Sequence, residues 1–231
     1  MKLYWIVLLF VLLAVGVFVV LPAFAPQVTS QEIIRSSEIT LGDTLCLVNQ
    51  SELALPFYDY ALLVNSTDPV VLKKKGEALI KCGKIGDANQ VYTQILSQNK
   101  DDADALVRQG DILVKSGDLN GGVQYYEASL AVNPKNAPVW LKKGDALLVM
   151  SMLETEKLKA SAKNLSRQPG SANYQASSND QIVTMDSYKK AVESYQKAQE
   201  LDPKLALVVS TRLLSATQNQ IQSYQDILQS F

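Results

Sequence analysis

The sequence predicts an all-α protein made of tandem helical hairpins, and three observations predict it. Gly42, Gly76, Gly110 and Gly144 follow one another at intervals of 34 residues. Each is followed three residues later by a leucine: Leu45, Leu79, Leu113 and Leu147. In the second half of the same period a small residue and a tyrosine recur. These are Ala54 with Tyr58, Ala88 with Tyr92, Gly122 with Tyr126 and, after an insertion, Ala191 with Tyr195. A fixed period of this length signals a supersecondary unit that covers its apolar face by stacking on copies of itself.

With the glycine counted as position 8, position 4 is Glu38, Leu72, Leu106 and Trp140, and position 27 is Ala61, Ile95, Ser129 and Ala198. Small residues at positions 8 and 20 let two helices cross closely. The aromatic at 24 fills the space towards the next unit, and Pro134 and Pro203 stop the second helix. A period of 34 with this pattern resembles the tetratricopeptide-repeat family, and the resemblance covers about residues 35–203. It implies a helix-turn-helix superhelix of about four repeats, each an A helix followed by an antiparallel B helix: 35–68, 69–102, 103–136 and 137–203. Asp68-Pro69 reads as an N-cap followed by proline at the first helical position, and Asn136 with Pro138 gives a similar start. Repeat one departs most, with Glu38 where a large apolar residue is usual and Pro56 near the start of its B helix. Position 7 is Leu41, Lys75, Gln109 and Lys143, apolar in one repeat alone.

In repeat four the expected position 20 is residue 156, but the matching Ala191 lies 35 residues later. About 151–185 is therefore extra. Ser151–Lys163 has good helix formers and is expected to prolong the A helix. Arg167–Asp180, with Pro169-Gly170 and Asn179-Asp180, reads as a loop, with the B helix resuming near Gln181. The insertion is either a tolerated surface loop or an arm that touches a partner. Residues 204–231 have Leu213 in the glycine register and read as a capping helix that covers the last repeat; a docking helix is the alternative.

At the other end, Leu3–Val20 is an apolar run, and no charge follows until Glu32. About 20 apolar residues span a bilayer, whereas the apolar part of a signal peptide is about 7–15 residues. Residues 1–27 are read as a transmembrane anchor, with a cleaved signal peptide as the alternative because Ala23-Phe24-Ala25 resembles a cleavage site. Residues 28–34 are a linker. Lys2 before the run and Glu32 and Glu38 after it weakly favour an extracytoplasmic repeat domain by the positive-inside bias, secreted if the signal is cleaved.

Composition narrows the chemistry. There is no histidine, and there are two cysteines, Cys46 and Cys82. The commonest general base and the usual zinc-ligand sets are thus missing, and neither catalysis nor a metal or cofactor is expected. Lys+Arg 22 against Asp+Glu 23 offers no basic stripe for nucleic acid. The two cysteines sit two residues apart in register, which favours separate thiols over a disulfide. Three N-glycosylation sequons occur: Asn49-Gln50-Ser51, Asn65-Ser66-Thr67 and Asn164-Leu165-Ser166.

The resemblance also implies a concave groove lined by A-helix positions 2, 5, 9, 12 and 13. Carried onto this chain, its partner-binding residues are Asp43, Lys73, Glu77, Ile80, Lys81, Val107, Asp111, Val114, Lys115, Leu141, Asp145 and Leu148. The acids at position 9 suggest a rail for a partner with apolar anchors and basic groups. The alternative is that they are helix charges paired with nearby lysines. A clamp for a C-terminal carboxylate is not expected, because Glu77 stands where that clamp has asparagine. The function expected is a membrane-tethered module that binds protein or peptide partners, with neither nucleic acid nor a small-molecule substrate. The alternative is a permanent structural subunit of a membrane or envelope complex.

Overall fold

The computed structural model of the protein describes residues 30–166 and 178–229. The chain divides into two compact units, Met1–Lys84 and Ile85–Phe231. The first contains α1 (Ser30–Leu47), α2 (Ser51–Val64) and α3 (Pro69–Lys81). The second contains α4 (Ile85–Gln98), α5 (Ala103–Ser116), α6 (Leu119–Val132), α7 (Ala137–Ser166) and α8 (Ser178–Leu201). A 3-10 turn at Pro203–Leu205 then leads into α9 (Ala206–Gln229). No strand occurs among the described residues. In the first unit α2 packs on both α1 and α3; in the second each helix from α4 to α8 packs on the next, and α9 lies on α7 and α8.

Local chemistry sets the helix ends. The Asp68 carboxylate accepts from the backbone N–H groups of Val70 at 2.9 Å and Val71 at 3.3 Å, with Pro69 opening α3. Asp102 caps α5 through Ala105 N at 3.0 Å, and Asp118 caps α6 through Gly121 N at 2.9 Å. After each of the first three A helices a left-handed residue stands at position 15: Asn49 at φ 63°, Gly83 at φ 73° and Gly117 at φ 92°. Asparagine and glycine are the residues that tolerate this conformation. In repeat four the same position is Ser151. No left-handed stop exists there, and α7 runs on to Ser166 for 30 residues, about 45 Å at ~1.5 Å per residue.

The interior follows the period. Ala54, Tyr58 and Ala61 are buried in α2, Ala191, Tyr195 and Ala198 in α8, and Gly122, Tyr126 and Ser129 in α6. Repeat one therefore forms in spite of its departures: α2 continues through Pro56, which is exposed, and Glu38 is half-buried. The glycine is fixed by contact. A Cβ on Gly42, Gly110 or Gly144 would stand 2.7 Å from the ring of Tyr58, Tyr126 or Tyr195 respectively.

Polar residues at position 7 serve the previous repeat. Lys75 pairs with Asp59 at 2.7 Å, Lys143 pairs with Glu127 at 2.7 Å, and Gln109 donates to the Asn89 side chain. Lys143 also lies over the Trp140 ring, 5.3 Å from its centroid. A side chain that bridges to the preceding B helix needs a polar tip, so the usual apolar residue is replaced.

Around the insertion, α8 starts at Ser178, three residues before the predicted resumption at Gln181. Ser178, Asn179 and Asp180 are residues that start helices as readily as they form loops. The rest of the predicted loop, 167–177, lies outside the described residues. Small polar residues line the α7–α8 contact: Ser151, Thr155, Ser187 and Ser194 are all buried. Ser151, Thr155 and Ser194 satisfy their hydroxyls on the backbone carbonyls of Leu148, Ser151 and Lys190, each at 2.8 Å, so the helices approach without an unpaired donor. The predicted anchor, 1–27, lies outside the described residues. Among the described residues no helix is long and apolar enough to cross a membrane.

The glycine contacts make a paired prediction. Gly110→Ala drives a methyl into the Tyr126 ring and within 3.1 Å of the Gly122 carbonyl, and costs about 1–3 kcal/mol. Gly86→Ala, on α4 with nothing within 4 Å, gains about 0.5–1 kcal/mol. Urea unfolding of both variants checks the signs.

Candidate functional site

The predicted site residues lie on the A helices, and in each unit the structure gives position 9 a definite set of partners. Tyr58 donates its hydroxyl to Asp43 at 2.9 Å, Tyr126 to Asp111 at 2.8 Å and Tyr195 to Asp145 at 2.7 Å. Each carboxylate also meets a cation on the following A helix or its C-terminal counterpart, through the second oxygen at Asp43, through both oxygens at Asp111 and through the tyrosine's own oxygen at Asp145. Lys74 reaches Asp43 at 2.6 Å, Lys142 reaches Asp111 at 2.6 Å and Arg212 reaches Asp145 at 2.7 Å. The rail residues Asp43, Asp111 and Asp145 are thus half-buried acceptors joining a B helix, an A helix and the next repeat. Glu77 is exposed on α3, and Lys73 is half-buried beside it.

Electrostatics follow from the burial. The hydroxyls of Tyr58, Tyr126 and Tyr195 are all pushed far above the ordinary tyrosine value. Desolvation is the largest cause in each case, followed by hydrogen-bond contacts of the hydroxyl, with Cys46 and then Asp43 for Tyr58 and with one aspartate for the others. Burial raises the Asp145 carboxyl, against the opposing pull of the Tyr195 hydrogen bond, Arg212 and Lys142. Burial likewise raises Glu154 on α7, partly offset by a hydrogen bond from Ser187 Oγ at 3.2 Å.

The apolar members of the predicted groove form a floor rather than a free surface. Val107 and Val114 of α5 are partly buried against the cluster of Tyr126, Leu130, Val139 and Ala146. Leu141 and Leu148 of α7 are partly buried against Leu147, Ala191, Tyr195 and Val209. Ile80 is half-buried, and Lys81 and Lys115 are exposed. Cys46 and Cys82 are half-buried free thiols, and the Cys46 sulfur lies 3.5 Å from the Tyr58 hydroxyl. Among the described residues no three Cys, Asp or Glu side chains converge as metal ligands.

Two features escaped the sequence analysis. One is the tyrosine–aspartate–cation relay, whose signal is present as spacing: 15 residues from Asp43 to Tyr58 and from Asp111 to Tyr126, and 31 from Asp43 to Lys74 and from Asp111 to Lys142. The other is a pocket of about 230 Å³ whose lining includes Leu148 and Met152 of α7, Tyr188 of α8, and Ala216 and Asn219 of α9. It needs the prolonged helix and the C-terminal helix together, so no local pattern announces it.

The comparisons agree with this architecture. The tetratricopeptide repeat family model matches residues 103–136 and 183–205, which are repeat three and the end of repeat four. No curated protein matches the sequence. A crystal structure of MamA protein superposes with a TM-score of 0.60 at 14% identity, covering 85% of this chain and 91% of that one. MamA from Desulfovibrio magneticus RS-1, residue 41 to its end, gives 0.55 at 17% identity, covering 85% and 93%. At these identities the likeness is one of fold. The chain is thus an all-α protein of tetratricopeptide-like helical hairpins, with the family model itself matched over those two stretches.

The buried tyrosines set an alkaline limit. Their folded-state pKa values are raised above the ordinary value of about 10, so their stabilisation is complete below it and is lost as pH climbs past it. Tyrosinate absorbance at rising pH is expected to appear in two phases: exposed tyrosines first, and at least Tyr58, Tyr126 and Tyr195 only as helicity is lost. A single phase preceding unfolding would contradict the burial.

Proposed function

We propose that this chain is a protein-interaction module, held at a membrane by its N-terminal apolar run, that takes peptide or protein partners on the faces of its A helices. The supporting observation is the row of half-buried apolar side chains on those faces, Val107, Val114, Leu141 and Leu148, bordered by the exposed lysine Lys115. Partly covered aliphatic groups beside solvated charges are what a partner's apolar anchors need for desolvated contact. Asp111 and Asp145 are engaged within the fold and fix the wall, so recognition in the second unit falls to the apolar row and to Lys115. Leu3–Val20 supports the membrane tether, and the charge bias around it supports an extracytoplasmic repeat domain.

A second reading, that of a permanent structural subunit, has its own observation. The first hairpin leaves large apolar side chains in solvent: Leu47 at 85%, Leu63 at 78%, and Ile33, Leu53 and Tyr60 each at 57% exposure. Contiguous exposed apolar surface marks interfaces.

Photo-crosslinking separates the two. A crosslinker placed at exposed Lys81 or Lys115 in the full-length chain is expected to trap a discrete partner in intact membranes, and one at exposed Gln124 of α6 is not. Adducts confined to Leu53 and Tyr60 would move the contact to the first hairpin and favour the permanent subunit.

A further inference from the structure

We propose that Asn65 is an N-glycan acceptor, and that it alone among the three sequons is presented by the fold in reactive form; the inference rests on the extracytoplasmic placement proposed above. Asn65 follows α2 with an extended backbone, φ −145° and ψ 96°, in the turn that leads to α3. Asn65, Ser66 and Thr67 are all exposed. The carboxamide oxygen Oδ1 of Asn65 accepts two hydrogen bonds from Thr67, from its backbone N–H at 3.2 Å and from its hydroxyl at 3.1 Å. Two donors aimed at one atom identify that atom as the oxygen, so the Nδ2 amino group is turned away from the turn. The sequon is closed on itself as an Asx turn, with the threonine hydroxyl polarising the carboxamide that must react.

The other two sequons lack this geometry. Asn49 is the left-handed residue at φ 63° that reverses the chain between α1 and α2, and its partner hydroxyl, Ser51, is buried in the first turn of α2. Asn164 to Ser166 form the last turn of α7, and a helical backbone does not make the Asx turn. The turn at Asn65 is also held firmly. Its far side is Asp68, which caps α3 and pairs with Arg35 of α1. A sugar on Asn65 would extend into solvent from a turn rather than displace a packed helix.

The co-reactant is a glycan carried on a lipid pyrophosphate. Nδ2 of Asn65 attacks the anomeric carbon and a C–N bond forms. The anomeric C–O bond breaks, and the lipid pyrophosphate leaves with the electron pair. The nitrogen gives up one proton to a carboxylate of the transferase. Nothing is oxidised or reduced, and the modified side chain is a neutral secondary amide.

The test uses the folded full-length chain, made in a host without glycosylation and kept in detergent. It is incubated with a single-subunit oligosaccharyltransferase and a lipid-linked oligosaccharide, and intact mass is read. One glycan is expected on the parent chain, on N49Q and on N164Q, and none on N65Q or T67A. A parent chain that stays unmodified, or a glycan that persists in N65Q, overturns the proposal. The T67A variant keeps Asn65 and the helices, so its loss of signal cannot be blamed on misfolding if its circular dichroism matches the parent. Expression from the chain's own N-terminus in a glycosylating host is the second arm. A glycan on Asn65 there supports the acceptor and the topology together. Modification in detergent but never in cells supports the acceptor and counts against the extracytoplasmic placement.

Discussion

A tyrosine laid across a glycine organises repeats one, three and four. The ring of Tyr126 occupies the space that a side chain on Gly110 would fill, and its hydroxyl ends on Asp111, the next residue of the same helix. Tyr58 and Tyr195 do the same with Gly42-Asp43 and Gly144-Asp145. One aromatic side chain therefore sets the crossing of A and B helices by contact and their register by a directional bond. The carboxylate then draws in Lys74, Lys142 or Arg212 from the element that follows. Buried ring and half-buried acceptor fit each other: the acid satisfies a hydroxyl deep in the repeat that would otherwise lack a partner. These cations are partly exposed, so their ion pairs add at most about 1 kcal/mol each. Most of the stabilisation comes from the packing that places them.

This arrangement changes what the acids mean. An acidic residue at the same place in every repeat reads from the sequence as a surface for a basic partner. In the structure Asp43, Asp111 and Asp145 are engaged by the fold itself. The valines of α5 and the leucines of α7 are, by contrast, left half-covered by the fold.

Much of this was legible in the residues. Glycine spacing, the small residue at position 20 and the tyrosine at 24 located the helices, and Asp68-Pro69 located a helix start. Even the insertion has a local cause that can be read directly: Asn49, Gly83 and Gly117 are residues able to take a left-handed turn, and Ser151 at the same position is not. What could not be read locally depended on pairs far apart in the chain. Lys75, Gln109 and Lys143 looked like defects at an apolar position until their partners on the preceding B helices were in view. The α7–α9 pocket joins residues more than sixty positions apart, from Leu148 to Gln222, and no period connects them. The predicted start of α8 was late because Ser178-Asn179-Asp180 carries the same residue types for a loop and for a helix start.

Asp111 couples its own repeat to the next through Tyr126 and Lys142. A double-mutant cycle of Tyr126→Phe and Lys142→Met, followed by urea unfolding, measures that coupling directly. If both groups act through one carboxylate, their losses are non-additive, with an interaction energy of about 1 kcal/mol. Losses that add within about 0.3 kcal/mol would mean that the tyrosine and the lysine act independently, and that the aspartate does not join the repeats.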